Sequence, residues 1–186
     1  MNIISTPIPD LFVIEPRVFR DERGHFFEYY NVDKFKDANL NYKFVQDNQS
    51  QSTFGVIRGL HYQLAPFAQT KLLRVVSGKI FDVAVDIRQN SPTYGNWYGL
   101  ELSDDNFLQL LIPRGFAHGF AVLSETAIVH YKCDNFYNPA SERGILYSDK
   151  SLDIDWHVSS QEAVVSPKDK MLPNFDQAEM NFSYGN

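Results

Sequence analysis

The stretch KLLRVVSGKIFDVAVDIR, residues 71–88, most narrows what this chain can become. Within it Phe81, Val83, Val85 and Ile87 alternate with Ile80, Asp82, Ala84 and Asp86. A two-residue period sends these two sets to opposite faces of a strand, whereas a helix needs recurrence at three and four. The pattern predicts a half-buried strand. Ser77-Gly78 divides it from the run Lys71–Val76, and a two-residue glycine link between such runs predicts a β-hairpin. Further strands are expected at 97–103, 107–112, 118–123 and 127–133. NVDKFKDANL (31–40) is the best helix candidate, and it is short. After Pro139 the pattern loosens into a tail of turns and short helices. Many short strands with few helices point to a sandwich or barrel.

Composition limits the function classes. At 186 residues the chain fits one domain with a full hydrophobic core. Its net charge of −6 argues against nucleic-acid binding, which needs a basic footprint. A phosphate-bearing small ligand is still compatible, because one pocket can be locally basic. The lone Cys133 excludes an internal disulfide and suits a reducing compartment. The opening MNIISTPIPDLFVIEP lacks a signal-peptide pattern, and no apolar run is long enough to span a bilayer. A cytoplasmic protein away from the membrane is expected. Fifteen Phe and ten Tyr fit either aromatic walls around a ligand or a Phe-packed barrel with surface tyrosines.

IPRGFAHGF (112–120) has the form P-x-G-x-x-H and resembles the second motif of cupins, double-stranded β-helix proteins that bind a metal through His-x-His, a carboxylate and this last His. GVIRGLHYQ (55–63) stands where their first motif belongs. There Gln63 replaces the second histidine, and Phe67 and Ala68 stand where a glutamate is expected. Two histidines without a carboxylate make a poor site for a first-row metal. Lys71, opening the next strand, adds a charge that repels a cation. No metal is expected.

A barrel keeping His61 and Lys71 suits carbanion chemistry beside a carbonyl. That chemistry needs a base, a donor or cation for the enolate oxygen, and an acid on the opposite face. Histidine suits the base, lysine the oxyanion, and tyrosine an acid that keeps its proton at neutral pH. Taken singly, His61 also fits a core histidine and Tyr131 a core tyrosine awaiting a hydrogen-bond partner. For His118 a structural role and a substrate contact fit equally well.

Together DERGHFFE (21–28), FVQDNQSQS (44–52), residues 55–97 and IPRGFAHGFAVLS (112–124) resemble the dTDP-4-dehydrorhamnose 3,5-epimerases, with YKCDNFYNPASERGI (131–145) and SPKDK (166–170) extending the match. The resemblance implies a metal-free, cupin-like all-β jelly roll that needs no cofactor. N-terminal strands would be exchanged in a homodimer, and the C-terminal tail would be short and partly helical. It divides the single domain into an arm (1–50), a core (51–135) and a tail (136–186). By resemblance His61 is the base, Tyr131 the proton donor, Asp169 the carboxylate orienting His61, and Lys71 the enolate stabiliser. Arg23 and Arg58 would hold the pyrophosphate, and Tyr137 would stack on thymine. Glu28, Gln46, Asp47, Asn48, His118, Glu142 and Lys168 match further substrate contacts. The implied reaction converts dTDP-4-dehydro-6-deoxy-D-glucose to dTDP-4-dehydro-L-rhamnose, for cell-surface polysaccharide. A single-centre epimerase, or a non-catalytic or metal-dependent cupin, are the alternatives.

Overall fold

The computed structural model describes residues 1–185. In chain order it contains β1 (Asn2–Ser5), β2 (Phe12–Glu15), β3 (Val18–Asp21), β4 (Gly24–Phe27), α1 (Val32–Asp37), β5 (Gln46–Thr53), β6 (Val56–Gln63) and β7 (Lys71–Ser77). Then follow β8 (Lys79–Asp86), β9 (Trp97–Ser103), β10 (Gln109–Ile112), β11 (Phe116–Val122), β12 (Thr126–Cys133), β13 (Glu142–Gly144), β14 (Val164–Val165) and α2 (Pro167–Lys170). One sheet has the order β1-β2-β10-β7-β12-β5. The facing sheet has the order β13-β6-β11-β8-β9, with β14 added in parallel along β6. Apart from β14 every pairing is antiparallel. The architecture is a cupin-like jelly roll.

Two expectations about residues 71–88 are corrected. The Ser77-Gly78 link does not close a hairpin. β7 pairs with β10 and β12, whereas β8 pairs with β11 and β9, so this link carries the chain from one sheet to the other. Gly78 sits at φ +84, and a Cβ there would collide with the Thr126 carbonyl. Nor is β8 half-buried, because both of its faces are covered. Ile80 and Ala84 pack between the sheets, while Phe81, Val83, Val85 and Ile87 pack beneath the C-terminal tail with Leu152, Trp156 and Val165. The face carrying Ile80 and Ala84, which alternation alone assigns to water, is thus the one between the sheets, and the tail closes the all-apolar face.

Smaller differences concern element ends. Phe107, expected in a strand, lies at φ +57 before β10 begins at Gln109. The expected helix forms only over Val32–Asp37, where Asn31 caps it by accepting from the Asp33 and Lys34 N–H groups. Phe35 is its one buried residue and docks on Ile14, Leu72 and Leu111 at the outer face of the first sheet. β5, "QDNQSQST", has no apolar alternation to announce it. It is a strand because it pairs with β12 from Cys133↔Gln46 to Thr126↔Thr53.

The inward positions change character along the barrel. At one end Val75, Ile80, Val122, Ala127 and Val129 form a dry core. Toward the other end the same strands present Lys71 on β7, Asp82 on β8, His118 on β11 and Tyr131 on β12. Burying the apolar end supplies about 25 cal/mol per Å² of apolar surface. That packing holds the polar end open and fixed.

Candidate active site

The polar end opens as a cleft of about 300 Å³ lined by His61, Tyr62, Gln63, Lys71, Tyr131, Tyr137, Glu142, Gln46, Asn48 and Gln69. His61 projects from β6 of one sheet, Lys71 and Tyr131 from β7 and β12 of the other. The candidate base and acid therefore approach from facing walls.

His61 is held from behind. Its Nε2 lies 2.8 Å from Asp169 Oδ1. Asp169 belongs to α2, whose cap Ser166 accepts a hydrogen bond from the Asp169 N–H. The Gly59 N–H donates to the other carboxylate oxygen at 3.4 Å. Burial works to raise the Asp169 pKa, but the His61 hydrogen bond and charge, with the Gly59 and Ser166 bonds, outweigh it and hold the carboxyl below its ordinary value. An ionised Asp169 accepts from Nε2–H, which leaves Nδ1 able to take a proton. Gly59, at φ +124, lets β6 lie close against β11, because a Cβ would stand 2.6 Å from the Gly119 Cα.

Lys71 has no hydrogen bond or ion pair among the described residues. Burial pushes its ammonium below the ordinary value, and nearby Cys133, Asp82 and Glu142 oppose that only in part. A desolvated cation without a partner is poised to receive developing negative charge. Burial also pushes the Tyr131 phenol up, with Cys133 and Glu142 adding to it against the Arg58 charge. Tyr131 therefore holds its proton at neutral pH.

The rim is a connected polar chain. Lys168 Nζ donates to Glu142 Oε2 at 2.6 Å, and the Tyr137 hydroxyl donates to the same oxygen at 2.9 Å. The Tyr137 N–H donates to Gln46 Oε1 at 3.0 Å, and Gln46 Nε2 donates to Asn48 Oδ1 at 3.1 Å. Burial acts to raise Glu142, but the Lys168 and Tyr137 hydrogen bonds prevail and hold it low.

Other residues expected at the site do not line this cleft. Asp47, between Gln46 and Asn48 on β5, turns outward to Lys132 at 3.0 Å, as strand alternation requires. Arg58 is exposed and donates to Ser52 Oγ at 3.0 Å. Arg23 and Glu28 are outside the cleft of their own chain. Arg23 pairs with Asp21 in the β3–β4 ribbon, which joins neither main sheet, and Glu28 pairs with Lys34. His118 is buried in a recess beside Lys71 and Gln63, its Nε2 2.7 Å from Asp82 Oδ1. The Arg74 guanidinium lies 4.5 Å from the Tyr29 ring centre.

Several residues at the site were not anticipated from sequence: Tyr62 and Gln69 line the cleft, and Asp82 and Gln63 support it. Asp82 is fully buried, and its Oδ2 has no hydrogen-bond partner. Asp82 shares its phase with Ile80, Ala84 and Asp86, the set that alternation assigns to water, so its burial left no signal. Gln63, noted only as a missing metal ligand, has both amide atoms engaged by backbone groups. Among the described residues no three His, Cys, Asp or Glu side chains gather in a metal-binding group.

Comparison with known proteins agrees with this geometry. The family model described as dTDP-4-dehydrorhamnose 3,5-epimerase matches residues 5–177. A dTDP-4-dehydrorhamnose 3,5-epimerase of Shigella flexneri is 57% identical over 170 residues, covering 91% of this chain and 93% of that protein. The crystal structure of the enzyme of that name from Elizabethkingia anophelis superposes with a TM-score of 0.92 at 51% identity, covering 96% of this chain and 99% of that one. A Legionella pneumophila dTDP-6-deoxy-D-glucose-3,5-epimerase in complex with dTDP-4-keto-L-rhamnose superposes at 0.90 with 47% identity, covering 95% of this chain and 93% of that one. With the model spanning nearly the whole length and the cleft assembled from the same stretches, the chain belongs to the dTDP-4-dehydrorhamnose 3,5-epimerase family.

Proposed function

We propose that this chain inverts C3 and C5 of dTDP-4-dehydro-6-deoxy-D-glucose, giving dTDP-4-dehydro-L-rhamnose. The observation that carries the reading is that His61 and Tyr131 line one cleft from facing sheets, with Lys71 beside Tyr131's sheet wall. The C4 ketone acidifies the hydrogens on both neighbouring carbons. His61 takes one as a proton, and the C–H electron pair moves into an enolate whose oxygen is stabilised by Lys71. Tyr131 donates its phenolic proton to the opposite face, which inverts the centre. Solvent then reprotonates Tyr131 and accepts the proton from His61, so nothing is oxidised or reduced. The second centre follows by the same exchange once it reaches the same pair. Asp169 stabilises the imidazolium while it exists.

Tyr137, half-exposed at the rim, is the proposed thymine platform, and Gln46, Asn48, Glu142, Lys168 and His118 are proposed substrate contacts. Arg58 and Arg23 are proposed for the pyrophosphate, a role suited to a planar donor fork. Arg23 and Glu28 lie outside their own cleft, so a second copy would bring its β3–β4 ribbon to this one. A homodimer follows. The enzyme would work in the cytoplasm, where the free thiol of Cys133 stays reduced.

Incubation with the 4-keto sugar nucleotide in deuterated water tests the reading. Deuterium at both C3 and C5 with L-rhamno product is expected. Label at one carbon makes it a single-centre epimerase, and no label refutes epimerisation.

A further inference from the structure

Gln63 stands two residues after His61 on β6, and both polar atoms of its amide are taken up by backbone groups. Nε2 donates to the Phe67 carbonyl at 2.6 Å and to the Phe136 carbonyl at 3.2 Å. Oε1 accepts from the Asn138 N–H at 2.7 Å. Phe136 and Asn138 flank Tyr137, whose own N–H is held by Gln46. Three consecutive backbone positions are thus pinned by two side chains of the cleft wall. Gln69 and Asn135 tie the same two loops together, with Gln69 Nε2 donating to the Asn135 carbonyl and Asn135 Nδ2 to the Pro66 carbonyl.

The Tyr137 ring is 53% exposed, and its one side-chain bond is to Glu142. So little surface contact leaves its placement to the backbone beneath it. We propose that Gln63 is the positioning residue that holds the Tyr137 platform ready for a nucleobase, an inference that rests on the dTDP-sugar reading above. Glutamine is suited to this because one side-chain end must offer two donors and an acceptor together. Glutamate has no donor, and leucine leaves backbone groups unpaired. A platform fixed before binding avoids the entropy cost of ordering the loop with ligand. Gln63 thereby acts on nucleotide affinity, whereas proton transfer belongs to other residues of the same cleft.

The test uses Gln63→Glu and Gln63→Leu in the full chain. In the ligand-free protein, amide hydrogen exchange at 136–138 is expected to speed up while β8 and β11 are unchanged. Unchanged exchange at 136–138 overturns the clamp, whatever the protein binds. Calorimetry with dTDP alone is expected to show affinity about tenfold weaker or more, with KM rising and kcat falling far less. Equal losses in kcat and KM, or loosened amides with unaltered affinity, overturn the positioning role. In a Tyr137→Ala background Gln63→Glu should weaken dTDP no further, and additive losses likewise refute it. Failure of the wild-type chain to bind dTDP refutes the dTDP-sugar reading and the platform role, while the exchange result still judges the clamp.

Discussion

His61 and Asp169 are 108 positions apart and meet at 2.8 Å, the imidazole on a barrel strand and the carboxylate on a single helical turn of the tail. The contact makes the tail part of the candidate active site and ties the proposed activity to its docking. Asp169→Asn keeps the volume and a hydrogen-bonding atom but removes the charge that stabilises the imidazolium. Deuterium exchange into substrate is expected to fall by up to about 10⁴-fold, the loss when a triad's orienting carboxylate becomes an amide. Exchange within threefold of wild type would mean that the base works without it.

The same pair sets an acid-side stability window. Because the folded pKa of Asp169 is depressed, its stabilisation is full above the unfolded value of about 3.9 and is lost as pH falls through the folded value. Denaturant unfolding of wild type and Asp169→Asn should therefore differ most near neutrality and converge on acidification below about pH 4. A gap that widens toward low pH contradicts the sign.

Lys71 works in the other direction. Its folded pKa is lowered, so keeping this half-buried ammonium charged costs stability, a cost that falls as pH rises from the folded value through the unfolded one. Lys71→Met is expected to raise Tm by a few degrees, with the gain shrinking as pH climbs toward the ordinary lysine value of about 10.4. Its kcat should fall by about 10²–10³-fold, as when one oxyanion donor is lost. A stable variant with full turnover would remove Lys71 from the enolate.

These contrasts show what could be read without coordinates. His61 and Lys71 were legible from the cupin-like motif in which Gln63 replaces a histidine, and Tyr131 through the family resemblance. Short alternating runs made a sandwich or barrel legible, and the resemblance narrowed it to a jelly roll. Which strands pair was not, since the same Ser77-Gly78 link serves a hairpin and a crossover between sheets. β5 was invisible to periodicity because its inward residues, Gln46 and Asn48, line a wet cleft. Gln63 was misleading for a related reason. Side chains that bind backbone leave no pattern in the sequence around them.

Tyr131→Phe separates abstraction from inversion. The base is untouched, so solvent deuterium should still enter the substrate while inversion is lost at one centre or both. Product analysis by NMR after partial turnover distinguishes the two. Complete inversion at both carbons would show that another group, or water, protonates the far face.

Mixing two inactive variants tests whether Arg23 serves its partner's cleft. In an Arg23→Ala chain the His61 site is intact but, in the proposed dimer, must borrow its arginine. In a His61→Ala chain the base is missing while Arg23 can be lent. If Arg23 acts across the dimer, each mixed dimer holds one complete site and one with both defects. After denaturation and joint refolding at equal amounts, half the dimers are mixed, so about a quarter of wild-type activity should return. The assay is run at substrate well below KM, where loss of a pyrophosphate ligand is felt fully. If Arg23 instead folds back onto its own cleft, both sites of every mixed dimer stay defective, and activity remains at the average of the two parents.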